Sequence, residues 1–280
     1  MNQAAIDLFV DWINERHSIW LKRAAGDNPP FTNDPILQQY KFTNTNRELD
    51  RTSIWVAKNI REPLQDNPDC WFALAISVFI NKPETLAALS PLIPYNEERF
   101  LDVCRKRMTA GEQVYSGAYI IRSYSNVDRA QYIFSKVLKD IWIDRERLNP
   151  LKYDNLSDWW DELTTYHGMG SFLAAQTIAS AKYLPGWDKY FTDWHTFAKS
   201  GPGSRRGMNR VCGLPVDCPW DEGMWYSKLR QLDFEVSLRI PVTLHFQDLQ
   251  NCLCEFDKYM RAFNNEGRPK SLFRPGRPLP

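Results

Sequence analysis

A chain of 280 residues, 43% of them hydrophobic, is long enough to bury a substantial core and short enough to do so in one domain. A formal net charge of +1 announces no polyanion partner by bulk charge, so any basic surface has to come from how the charges are arranged. No apolar run reaches the ~20 residues of a membrane span, and the acidic opening MNQAAIDLFVDWINERH lacks the basic n-region of a signal peptide; a cytoplasmic protein with reduced cysteines is expected.

Helical spacing dominates the chain. Ile6, Phe9, Val10 and Ile13 follow a one-face pattern that continues through Ile19 and Trp20. Further helices are expected over 47–60 (RELDRTSIWVAKNI), 69–80 (DCWFALAISVFI), 97–108 (EERFLDVCRKRM) and 130–143 (AQYIFSKVLKDIWI). Between the last two, QVYSGAYII (113–121) has the composition of a short strand. A helix over 156–166 opens on a Ser157 cap signal, and one over 171–184 opens at Ser171 after glycines. Segments 221–240 and 245–263 complete the set. With no repeat and no long linker, the class is all-α in one domain over 1–280, core motifs at about 40–260 and a loose basic Pro/Gly-rich tail at 262–280. The 11 tryptophans should be mostly core. The spacings Cys252-x-Cys254 and Cys212-x5-Cys218, with scattered histidines, do not match zinc or iron–sulfur patterns, so no such metal site is expected, and no cofactor is assigned; a divalent metal accompanying a phosphate group stays open.

Two neighbouring stretches carry the first functional signal. His167-Gly168-Met169-Gly170 is a G-x-G turn between helices. Such a turn suits a helix-hairpin-helix that grips a DNA phosphate through Gly168 and Gly170, or an ordinary turn closed by glycines. Some twenty residues on, FTDWHTFAKSGPGSRRGMNRV places Asp193 ahead of Lys199, Arg205, Arg206 and Arg210 with no intervening acid. Asp193 is read either as a group entering a base pocket or as an N-cap over Trp194–Phe197. This order resembles the helix-hairpin-helix DNA glycosylase superfamily, in which an aspartate after the hairpin's second helix enters the base pocket. Ser204 and Asn209 join the four cations as candidate DNA contacts.

Two further segments, KFTNTNRELDRTSIW (41–55) and HFQDLQNCLCEFDKYMR (245–261), together with GPGSRRGMN, resemble the alpha-glutamyl/putrescinyl thymine pyrophosphorylase family, a phage-associated offshoot of the glycosylase-like fold. That family has a more hydrophobic residue where this chain has Thr45. The resemblance implies a transferase that displaces pyrophosphate from a modified thymine in double-stranded DNA with an amino acid or polyamine. Such chemistry needs cations for the leaving group, a carboxylate or histidine for the amine proton, and a flipped base. On this reading Asp193, Glu255 and Lys258 are catalytic. Asn44, Asn46, Arg47, Asp50, His195, Gln250, Asn251, Cys254 and Asp257 bind substrate. Gln250, Asn251, Cys254 and Lys258 fall on one helical stripe and Glu255 three residues before Lys258, though a salt-bridged surface face has the same spacing. Arg47 and Asp50 are equally an ion pair within a capped helix. His167 and His195 are proton carriers or packing residues, and Cys254 is a nucleophile for pyrimidine C6 or a buried thiol. A base glycosylase using Asp193 and a non-catalytic DNA-binding module remain the alternatives.

Overall fold

The computed structural model describes residues 1–117 and 128–275, and among these the protein is all-α. In chain order the helices are α1 (Gln3–Ala25), α2 (Pro35–Gln39), α3 (Arg51–Val56), α4 (Cys70–Ile80), α5 (Pro83–Leu89), α6 (Glu97–Thr109), α7 (Arg129–Gln131), α8 (Lys139–Ile143), α9 (Leu156–Thr164), α10 (Gly170–Ala181), α11 (Trp187–Tyr190), α12 (Pro202–Cys212), α13 (Glu222–Ser237) and α14 (Phe246–Phe263). Wider π-type turns extend α3 over Ala57–Arg61 and join α7 to α8 over Tyr132–Leu138. Of the expected strand at 113–121, residues 113–117 form none and the remainder lies outside the described residues. Where the sequence suggests one domain, the contacts divide the chain into two compact units, Met1–Arg51 with His195–Pro280, and Thr52–Trp194.

The first unit is built from both ends of the chain. Phe9, Trp12 and Ile13 of α1 pack with Trp225, Leu229 and Leu232 of α13 and with Leu253 and Phe256 of α14. Phe9 meets Phe256 edge-on at 5.0 Å. Each such side chain contributes about 1.5–3 kcal/mol by leaving water. Against α14 lies α12, at a distance that only glycine permits. A Cβ on Gly207 would sit 2.1 Å from the Leu253 carbonyl oxygen, and one on Gly203 would sit 2.3 Å from Cys254 Sγ. The tail is not loose where it is described. Lys41 N donates to Ser271 O and Phe273 N to Gln39 O, both at 2.9 Å, flanking an antiparallel bridge from Tyr40 to Leu272. The Phe273 ring then packs on Phe31.

The second unit centres on α4, every residue of which is buried, as expected for a helix apolar all round. Its rings begin an aromatic relay: Trp71 meets Trp159 at 5.7 Å, Trp159 meets Trp187 at 5.9 Å, and Trp187 meets Phe191 at 5.2 Å. Helix α9 starts two residues earlier than the expected Ser157 cap allows, because Asn155 is the cap and accepts from Asp158 N at 2.7 Å. Between α9 and α10 the hairpin turns on Gly168 (φ 78) and Gly170 (φ 54). Gly168 is also forced by packing, since a Cβ there would lie 2.5 Å from Val137 Cγ2.

Candidate functional site

The segments FTNTNRELD and FQDLQNCLCEFDK, two hundred residues apart, meet in the first unit. The 42–50 loop holds its own shape. Asn46 caps a short 3₁₀ turn over Arg47–Leu49 by accepting from Glu48 N, and Asp50 Oδ1 accepts from Asn44 N. From α14, side chains spaced by three and four residues then grip this loop. Asp248 Oδ1 accepts from Arg47 N at 3.0 Å, Asn251 Oδ1 from Arg47 Nη1 at 2.9 Å, and Glu255 Oε2 from Thr43 N at 2.9 Å. Asn251 Nδ2 also donates to Thr43 Oγ1. Two ion pairs lie in this seam, Arg47 Nε with Asp50 Oδ2 and Lys258 Nζ with Glu255 Oε2, each at 2.5 Å. Lys258 further stands 4.6 Å from the centre of the Phe42 ring. So Asn44, Asn46, Arg47, Asp50, Asn251, Glu255 and Lys258 come together. Gln250 on the same helix is half-buried.

Under this seam lies a residue that the sequence reading missed. Arg16 of α1 is buried; its Nη2 donates to Asn44 Oδ1 at 2.6 Å and to Phe42 O at 3.2 Å. Burial pulls its pKa down to about 10, opposed through space by Asp50 and Glu255. The signal was present: Arg16 continues the buried spacing of Phe9 and Ile13, and a charge on an apolar face is the informative exception. Its neighbour His17 is also buried, held below the usual imidazole range by desolvation and by Arg16, with Thr45 Oγ1 3.5 Å from its Nδ1.

Several expected site residues face elsewhere. Asp257, placed among the substrate ligands, points away from Glu255 and is fully buried against α12. It takes Arg206 Nη2 at 2.8 Å and Arg210 Nε at 2.9 Å. Two residues apart on a helix is about 200°, which is why Glu255 and Asp257 cannot share a face. Cys254 wedges against Gly203, and burial raises its pKa above the thiol norm. That keeps it protonated and poorly nucleophilic.

The basic stretch is less free than its sequence suggests. Arg205 pairs with Glu222 at 3.0 Å, and Arg210 also pairs with Glu266. Ser204 and Asn209, expected on a DNA surface, are buried. Ser204 Oγ closes the start of α12 by accepting from Gly201 N, and Asn209 Nδ2 donates to Val216 O and Cys218 O. Lys199 is half-buried. His195 is exposed, its ring edge-on to His245 at 4.7 Å.

In the second unit, Asp193 is a cap, but for a helix thirty-odd residues back rather than for Trp194–Phe197. Its Oδ1 accepts from Leu156 N at 2.6 Å, and its Oδ2 accepts from Ser157 N at 3.0 Å and Ser157 Oγ at 2.9 Å. A carboxylate at a helix N-terminus is favoured by the free N–H groups there and by the helix dipole. The exposed His167 of the hairpin leans edge-on against Tyr132. Among the described residues no group of three or more His, Cys, Asp or Glu is placed to hold a metal ion, and no helix is long and apolar enough to cross a membrane.

Comparison with known proteins identifies the family. Residues 3–268 match the model of the 5-hmdU DNA kinase helical domain, and the chain belongs to that family. It is 27% identical over 238 residues to a 5-hmdU DNA kinase of Bacillus phage SP10, an alignment covering 75% of this chain and 36% of that protein. The chain thus spans about a third of the length of this curated relative. No solved structure matches.

Proposed function

We propose that this protein modifies thymine in DNA, as a transferase that exchanges the pyrophosphate of 5-(pyrophosphoryloxymethyl)uracil for an amine. In that reaction the amine nitrogen attacks the exocyclic methylene carbon, the carbon–oxygen bond to pyrophosphate breaks, and the amine's proton passes to a base. The observation that carries the reading is the seam of the 42–50 loop with α14, where a carboxylate (Glu255) and a lysine (Lys258) share one edge with Arg47, Asp50 and Asn251. Glu255 would orient the amine and take its proton, and Lys258 would meet the leaving phosphate.

The helical-domain family supports a role on 5-hydroxymethyluracil DNA, the substrate that the phage relative's name gives. The helix-hairpin-helix at Gly168–Gly170 and the exposed faces of Arg205 and Arg206 are the contacts proposed for duplex DNA.

The test incubates the protein with pyrophosphorylated hydroxymethyluracil DNA and a panel of amino acids and polyamines, then resolves the nucleosides by mass. An aminomethyl adduct with released pyrophosphate supports the transferase. Free base with abasic sites indicates a glycosylase. Phosphorylation of hydroxymethyluracil DNA with ATP, and no adduct, assigns the chain to the kinase step instead.

A further inference from the structure

We propose that Arg16 is the anion-receiving residue of this site, its guanidinium accepting a phosphate or diphosphate group as a hydrogen-bonded counter-ion. The other cations around the seam already have carboxylate partners: Arg47 has Asp50, Lys258 has Glu255, Arg206 shares Asp257, and Arg210 has Asp257 and Glu266. Arg16 is different. It is 6% exposed, and both acceptors on its Nη2 are neutral, the Phe42 carbonyl and the Asn44 amide. Its Nη1 is buried with no hydrogen-bond partner among the described residues. No carboxylate among the described residues lies within ion-pair reach of it, and Asp50 and Glu255 act on it only through space.

A buried guanidinium with an idle donor is costly, and proteins normally pair such a charge or bring a ligand to it. If Arg16 only fastened the 42–44 segment to α1, its Nη2 would suffice, and a polar neutral side chain would serve there at lower cost. Phosphoryl oxygens suit what is left over, because a planar guanidinium donates to them with matched geometry. Lys258, Arg47 and Asp50 are the more open members of the cluster, their side chains 23%, 28% and 18% exposed. An incoming phosphate offers Lys258 and Arg47 replacement acceptors, and the carboxylates they now hold, Glu255 and Asp50, are the ones that act on Arg16 through space.

What the anion is in the cell rests on the reading above; where it binds does not. The probe is therefore inorganic pyrophosphate with the intact protein, without DNA or amine. Calorimetric titration at fixed ionic strength, with sulfate as comparison, should show pyrophosphate binding to wild type and a loss of about tenfold or more in Arg16→Gln. Because Arg16→Gln leaves a hole under the seam and could unfold the unit, the same titration is followed in wild type by the arginine Nε–H resonances. The Arg16 signal should shift with pyrophosphate. Equal affinity for sulfate and pyrophosphate, a folded Arg16→Gln that binds like wild type, or an Arg16 resonance that stays still would each overturn the proposal. Binding at Arg16 without any amine transfer leaves the site standing and removes only the transferase reading. Transfer without this binding does the reverse.

Discussion

At the scale of single residues, Asp193 shows how far a correct chemical instinct travels from sequence. An aspartate before a short polar turn reads as a cap, and capping is what its oxygens do, yet the donors belong to Leu156 and Ser157 rather than to the residues that follow it. Cap preferences are local rules, and the chain here satisfies one over a separation of 36 or 37 positions. Truncating Asp193 to Ala strips three donors of their acceptor at the start of α9, and stability should fall by about 2 kcal/mol. Asp193→Asn keeps one acceptor oxygen and should lose less. Urea unfolding monitored by tryptophan fluorescence measures both, and two variants as stable as wild type would remove the cap. Lost turnover in Asp193→Asn at unchanged stability would instead restore the catalytic role expected from the sequence.

At the scale of elements, the helices were readable because their apolar positions repeat at helical spacing, α9 and α14 most plainly, while what α12 does was not. GSRRG was noticed for its arginines, but its glycines, 203 and 207, fall one helical turn apart and are what the neighbouring helix touches. The arginines looked unopposed only because their acids lie 17 to 56 positions away, at Glu222, Asp257 and Glu266. The two glycines should therefore rank in a defined order. Gly207→Ala pushes a methyl into the Leu253 carbonyl, which is backbone and cannot turn aside, at a cost of about 3 kcal/mol. Gly203→Ala meets first the Cys254 sulfur, which can change rotamer, so its cost should be smaller. Thermal unfolding of the two variants decides it, and the opposite order would mean that α12 and α14 are not held at this separation.

At the scale of the molecule, the candidate site exists because the first unit closes residues 1–51 onto 195–280. Periodicity finds α1, the 42–50 loop and α14 one by one, but nothing local says that Arg16, Asn44 and Glu255 share a seam, so the motifs were legible and their meeting was not. That meeting makes the roles of Glu255 and Lys258 testable against a merely structural pair. Glu255 serves two partners, the Thr43 amide and the Lys258 ammonium, while Lys258 has the Phe42 ring beneath it. Lys258→Met keeps the stem over Phe42 and removes only the charge. The Glu255 side chain is only 10% exposed, so the carboxylate left without its ammonium should cost about 1–3 kcal/mol of stability. If Lys258 meets the leaving phosphate in the transition state, kcat for transfer should drop at least about tenfold with little change in KM for the amine. Glu255→Gln still accepts from Thr43 through its amide oxygen but loses the base, so it should act mainly on use of the amine and move the rate's dependence on pH. Variants that alter stability alone, with the amine KM, kcat and pH profile of wild type, would leave the pair as a fastener between loop and helix and send the search for the reacting groups to other residues.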